Sequence, residues 1–202
     1  MKLYESKGFP NPRRVRVFLA EKGVDVEGIH VDVMKAEHRQ EPFISKNPFS
    51  AVPTLELEDG RYISECTAIC RYLEEAHPEP ALMGSSAAEK GEIDMWNKRI
   101  EQGLMEAVAA YFHHATEGLG ELELHQIKAW GERSRDTFVE TLRKIEKALT
   151  GRDYIAGRFS VADITALVAL DFGKACNIAI PDDCPNVQAW YQRLSARASA
   201  AA

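Results

Sequence analysis

The chain has 202 residues, 45% of them hydrophobic and 28% charged, with a formal net charge of -6. That length and composition suit a globular protein with a sizeable core, in one large domain or two small ones. The acidic balance excludes the broad basic face that nucleic-acid binding needs, yet Arg13, Arg14 and Arg16 form a local patch able to meet small anions.

Residues 1 to 77 alternate strand and helix signals. Leu3-Tyr4 begins a short strand. Asn11 reads as a helix N-cap with Pro12 at the first helical position, Val15, Phe18 and Leu19 supply the apolar face, and Gly23 ends the helix. Val26, Ile29, Val31 and Val33 predict the next strand, and a helix is expected around Pro42 to Ser45. Pro53–Leu57 and Tyr62–Ser64 flank Asp59-Gly60, a hairpin signal. A helix from about Thr67 to Ala76 follows and is stopped by Pro78. The expected product is a compact α/β unit with a mixed four-strand sheet.

After Pro78-Glu79-Pro80 the strand signals nearly vanish. Ile93, Trp96, Ile100, Leu104, Val108 and Tyr111 lie on one stripe of a long helix. A second helix is predicted from Leu122 to Thr150, closed by Gly151. Ser160-Val161-Ala162-Asp163 has the form of a capping box, with Phe159 and Ile164 as its staple, opening an apolar helix through Ala175. A last helix carries Val187, Trp190, Tyr191 and Leu194. Residues 78–86 are the expected linker, and 87–202 an all-helical domain.

No run reaches about 18 apolar residues, and Met1–Glu5 lacks the apolar stretch of a signal peptide, so a cytoplasmic protein without a membrane partner is expected. Cys66, Cys70, Cys176 and Cys184 form neither a CxxC pair nor zinc-like spacing, so no metal is expected.

Four short elements carry chemistry: Asn11–Arg14, His38, Ser50–Thr54 and Glu65–Thr67. Together they supply a helix start, a backbone edge fixed by proline, a carboxylate for an amine and a cationic or hydrogen-bonding side chain. Those parts suit an extended, anionic tripeptide. In order and spacing, Val52-Pro53-Thr54-Leu55, Glu65-Cys66-Thr67-Ala68-Ile69 and Phe159–Asp163 resemble the motifs of the cytosolic glutathione transferases, over nearly the whole chain. The resemblance implies a thioredoxin-like domain at 1–77 that binds glutathione as co-substrate, and a homodimer. It also implies a cis-proline at Pro53, with the Val52 backbone pairing to the tripeptide like an added strand. Glu65 would take the γ-glutamyl ammonium, the N–H groups of Cys66 and Thr67 its carboxylate, and His38 the glycyl carboxylate. Family members commonly carry serine where Cys66 stands, and some have histidine at the place of Ser50.

The usual tyrosine, serine or cysteine that assists the thiol is missing. Its serine-type position falls near Phe9, beside Pro10 and Asn11; Tyr4 lies inside the first strand and Ser6 falls too early. A helix N-terminus contributes at most ~2 kcal/mol to a nearby anion, enough to lower a thiol pKa by about one unit. The stretch Glu106–Gly120, the pattern Pro10-x-Pro12-x-Arg14-Val15-Arg16 and Glu121–Leu124 resemble an atypical fungal and bacterial branch of the family. There a water held by a histidine and a serine is proposed to activate glutathione; His113 corresponds to the histidine, and Ala109 replaces the serine. Helical geometry puts His113 opposite the Ile93–Tyr111 stripe, beside Gln102, Glu106 and Ala109, on a face expected to line an interdomain cleft. Asn11 is the second candidate, donating from its amide. Phe9, Met105, Tyr111 and Phe112 are either walls of an electrophile pocket or core. The expected activity is conjugation of the glutathione thiolate to small hydrophobic electrophiles. The alternatives are a non-catalytic glutathione or hydrophobe binder, and a thiol or peroxide reductase using Cys66 or Cys70.

Overall fold

The computed structural model describes residues 1–119, 123 and 125–202. The chain divides into two compact units, Met1–Leu82 with Ala201–Ala202, and Met83–Ala200.

The first unit holds β1 (Lys2–Glu5), α1 (Pro10–Lys22), β2 (Glu27–His30), β3 (Thr54–Glu56), β4 (Tyr62–Ser64) and α2 (Cys66–Ala76). Its four strands run in the order β2-β1-β3-β4. β1 pairs parallel to β2 through Leu3 opposite Gly28, and antiparallel to β3 through Leu3 opposite Leu55. This is the mixed thioredoxin-like sheet. Leu3, Val15, Phe18, Leu55, Ile69 and Leu73 are buried and make its core. Gly23 caps α1 with φ 64, a left-handed conformation that glycine adopts without a Cβ penalty.

Three local expectations are corrected here. α1 starts two residues earlier: Phe9 is the N-cap, Pro10 the first helical residue and Asn11 the second, because Pro10 already has a helical φ and no N–H to satisfy. β2 stops at His30, so Val26, Val31 and Val33 lie outside it, although the Val31 N–H still reaches the Glu5 carbonyl at 2.7 Å. No helix forms at Pro42–Ser45. The segment is a string of turns after a 3-10 turn at Glu37–Arg39, with Phe43 and Ile44 both donating to the Gln40 carbonyl. Pro42 and Pro48 leave too few residues between them to propagate a helix.

A buried ion pair ties down the end of this unit. Lys22 Nζ meets Glu74 at 2.6 Å and donates to the carbonyls of His77 and Pro80, both at 2.7 Å. The charge is thereby paired and hydrogen-bonded, which a buried ammonium requires.

The second unit contains α3 (Ala87–Ile100), a π-helical turn (Glu101–Met105), α4 (Glu106–Ala115), α5 (Lys128–Ala148), α6 (Val161–Ala175) and α7 (Pro185–Ser195). Its helical core includes Ile100, Leu104, Val108, Phe138, Leu142, Leu167 and Trp190. Two details depart from the periodicity reading. The single long helix is interrupted by the π turn around Gly103, where any Cβ would stand 2.6 Å from the Thr141 methyl, so α5 packs against bare backbone there. α5 starts at Lys128; the expected start at Leu122, and Glu121, Leu122 and Leu124 of the motif, lie outside the described residues. Gly151, with φ 70, turns the chain just after α5 has ended.

At α6 the capping box is present. Asp163 accepts from the Ser160 N–H at 2.9 Å, the Ser160 hydroxyl at 3.1 Å, Trp190 Nε1 at 2.8 Å and the Ile155 N–H at 3.3 Å. Burial pushes its carboxyl up to about 6 against these donors.

Candidate functional site

In the first unit, the site is built where loops meet helix starts. The Val52–Pro53 peptide bond is cis. Among the described residues, neither the N–H nor the C=O of Val52 has a hydrogen-bond partner, while Pro53 and Thr54 beside it are buried. A half-buried residue with both main-chain groups unspent is a ready edge for an extended peptide.

Asn47, which sequence reasoning passed over, holds that edge in place together with Thr54. Asn47 is buried and its Nδ2 donates to the Ala51 carbonyl at 2.8 Å and to Thr54 Oγ1 at 3.2 Å, while its Oδ1 accepts from the Phe49 N–H at 3.1 Å. Thr54 Oγ1 donates in turn to the Ala51 carbonyl at 3.1 Å. Asparagine before Pro-Phe-Ser was the available signal, since an Asn side chain commonly folds a turn onto its own backbone.

α2 begins with Glu65 as its N-cap, at φ 67 and ψ 122, and with no capping hydrogen bond from its side chain. The Glu65 carboxylate is exposed, while its carbonyl accepts from the Ile69 N–H at 2.9 Å. Cys66 and Thr67 are the first two helical residues, whose N–H groups have no acceptor within the helix by geometry. Such a helix start favours a carboxylate. Cys66 is buried and its thiol donates to the Asn11 carbonyl at 3.3 Å, which brings the starts of α1 and α2 together.

α1 offers less than a typical helix start. Pro10 and Pro12 have no N–H, and the Arg13 N–H returns to the Phe9 carbonyl at 3.4 Å. Asn11 is therefore the first-turn residue left with an N–H to present. Its Oδ1 accepts from Arg14 Nη1 at 3.4 Å, which leaves the Nδ2 hydrogens as the donors of its side chain.

His38 is 8% exposed in the 3-10 turn, and its Nδ1 is buried without a hydrogen bond among the described residues. Burial, then the neighbouring Arg39 charge, holds its imidazole below the ordinary range. At neutral pH it is an N–H donor without a charge.

The remaining candidates sit as follows. Phe9 is half-buried beside α1. Met105 is buried in the helical core of the second unit, and Tyr111 packs against that core. Phe112 contacts the rings of His113 and Phe172, each at 5.5 Å between centroids. His113, on α4, is half-buried, with Nδ1 3.5 Å from Glu123 Oε2. Among the described residues no group of acidic, histidine or cysteine side chains could hold a metal ion.

A thioredoxin-like unit carrying a cis-proline edge and a Glu-headed helix, followed in the chain by an all-helical unit, defines a class of thiol-peptide-binding proteins. The model of the glutathione S-transferase N-terminal domain matches residues 3–81, and that of the C-terminal domain residues 104–198. The chain belongs to the glutathione S-transferase family and is an enzyme of that class. Glutathione S-transferase 2 of Saccharomyces cerevisiae is 42% identical over 203 residues, covering 98% of this chain and 87% of its own. The crystal structure of Gtt2 from Saccharomyces cerevisiae matches with a TM-score of 0.94 at 42% identity, over 98% of both chains. A glutathione S-transferase domain-containing protein from Marinobacter aquaeolei VT8 matches with a TM-score of 0.95 at 46% identity, over 98% and 99% of the two chains. These similarities set the chain in the fungal and bacterial Gtt2-like branch.

Proposed function

We propose that the enzyme conjugates glutathione, through its thiolate, to small hydrophobic electrophiles. The observation that carries this reading is the unspent main chain of Val52 next to cis-Pro53, in the same unit as the Glu65-headed helix. Val52 pairs with the cysteinyl residue of glutathione, Glu65 with the γ-glutamyl ammonium, and the first turn of α2 with the adjoining carboxylate. His38 donates an N–H to the glycyl carboxylate. In the reaction the thiol proton leaves to a base, the sulfur forms a bond to an electrophilic carbon, and the displaced electron pair leaves with the departing group or the adduct's own acceptor. Asn11 stabilises the thiolate by hydrogen bonding and His113 takes its proton. Phe9, Tyr111 and Phe112 are assigned to the electrophile, whereas Met105 is buried in the helical core.

Titration of glutathione by calorimetry, with ultraviolet detection of the bound thiolate, tests both halves. Saturable binding with a lowered thiol pKa is expected, together with turnover of an activated aryl halide. Absence of saturation at millimolar glutathione overturns the reading. Binding with an ordinary thiol pKa and no turnover leaves the non-catalytic binder, which the missing hydroxyl at Phe9 favours. The reductase alternative is weakened by Cys66, whose thiol is buried and already donating.

The neutral state of His38 gives a pH signature. A bound carboxylate stabilises protonated His38, so protonation and binding reinforce each other. S-methylglutathione, which has no thiol to titrate, is expected to bind more tightly as pH falls from about 8 to about 5, because His titrates within that window. His38→Gln removes the dependence. Calorimetry across the range checks it.

A homodimer in the cytoplasm completes the proposal, supported by four cysteines that all remain free thiols and by Phe49. Phe49 is 83% exposed, on a turn fixed by Asn47, and a rigidly presented aromatic suits burial against a second copy of the chain. Phe49→Ser is expected to shift sedimentation toward the monomer without changing the far-ultraviolet circular dichroism.

A further inference from the structure

We propose that Glu123 is the positioning residue for His113, fixing which ring nitrogen acts as the base. The inference rests on the reading that His113 takes the thiol proton. His113 lies in the last turn of α4, and Gln126 stands at that helix end. Gln126 Nε2 donates to the carbonyls of His113, at 2.8 Å, and Thr116, at 2.6 Å, so one side chain closes the helix terminus. Glu123 faces His113, with Oε2 3.5 Å from Nδ1, while Glu123 Oε1 accepts from the His125 N–H at 3.4 Å. The two side chains are 44% and 27% exposed, yet the Nδ1 atom itself is buried and lacks a hydrogen bond among the described residues. The Phe112 ring meets the imidazole edge-on at 85°, which limits its rotation.

A carboxylate facing Nδ1 favours the tautomer with the proton on Nδ1, leaving the Nε2 lone pair to accept. The neighbouring histidine is set the other way. His114 Nδ1 accepts from the Ile127 N–H at 3.3 Å, so its neutral ring carries the proton on Nε2 and has no lone pair there to offer. Two adjacent histidines are thus given opposite tautomers by two different partners, and only His113 presents a basic Nε2. In the proton transfer, the thiol proton goes to Nε2, the Nδ1 proton stays on the ring facing Glu123, and the carboxylate offsets the imidazolium charge. Of the other titratable groups among the described residues of this turn, Glu117 and His125 are exposed.

The test compares Glu123→Gln, Glu123→Asp and His113→Ala, with nitrogen-detected proton NMR of the imidazoles. In the native enzyme neutral His113 is expected to carry its proton on Nδ1 and neutral His114 on Nε2. Glu123→Gln should lower kcat with little change in KM for glutathione, and displace the kcat–pH profile from the native one. Glu123→Asp should restore part of the native profile. A native His113 protonated on Nε2 overturns the inference, as does a Glu123→Gln profile that overlays the native one while His113→Ala is impaired. A fully active His113→Ala overturns the reading beneath it instead, and so removes the catalytic meaning of the pair. The native spectrum decides the tautomer even if Glu123→Gln folds poorly.

Discussion

Asp163→Ala is expected to cost about 3–5 kcal/mol of stability, the scale of breaking a buried charged network. The carboxylate is 0% exposed and ties three separate elements: the start of α6 through Ser160, the preceding loop through Ile155, and α7 through Trp190. Ser160, Ile155 and Trp190 are themselves fully buried, so no water reaches the donors that would be stranded. For a chain of this size each kcal/mol moves Tm by about 2–4 °C, giving a fall on the order of 10 °C by calorimetry. Asp163→Asn keeps an oxygen for Trp190 and Ile155 but turns an NH2 toward the Ser160 donors, so it should recover only part of the loss. The pH dependence has a definite sign. Burial raises the Asp163 carboxyl from its ordinary 3.8 to about 6, so between those values the native state holds the proton more firmly than the unfolded chain. Its contribution is fully present below about 4 and declines as pH rises through about 6, and Asp163→Asn should flatten that part of the stability profile.

The same residue shows what a sequence makes legible. Ser160 and Asp163 stand at the fixed spacing of a capping box, so the start of α6 followed from local chemistry, as did the Asp59-Gly60 hairpin and the left-handed Gly23. The Trp190 and Ile155 partners of Asp163 are distant or non-periodic in sequence, and no spacing rule reveals them. The π turn at Glu101–Met105 escaped because apolar periodicity continues across it; the cause is the close approach of Thr141 to Gly103, a tertiary contact. For His38, only the folding of the turns around it shows that its Nδ1 is buried. At the proposed glutathione site, Pro53, Glu65 and Cys66 stand out through the resemblance of their short motifs to those of the family. The support from Asn47 stands out less, since its value depends on where Thr54 and Ala51 end up.

Glu65→Gln is expected to raise KM for glutathione by about 10- to 100-fold, the loss of one charge-assisted hydrogen bond worth roughly 1.5–3 kcal/mol. The rival role for this carboxylate is to cap α2, and the geometry separates the two. Glu65 is the N-cap residue, yet its side chain makes no capping hydrogen bond, and the helix is closed instead by its main-chain carbonyl accepting from Ile69. Removing the charge should therefore leave Tm nearly unchanged, within the ±0.5 kcal/mol typical of exposed substitutions. A capping carboxylate would give the reverse pattern, a lower Tm with KM intact. The backbone argues the same way. Glu65 holds φ at 67, a region that favours glycine, so a residue chosen for stability alone would be glycine. Glu65→Gly is expected to match or exceed the native Tm while binding glutathione as poorly as Glu65→Gln. Calorimetric titration of glutathione beside thermal melts of the two variants measures both quantities. The left-handed backbone at Glu65 is then explained by the proposed contact with the ammonium, because the carboxylate makes no capping hydrogen bond to α2.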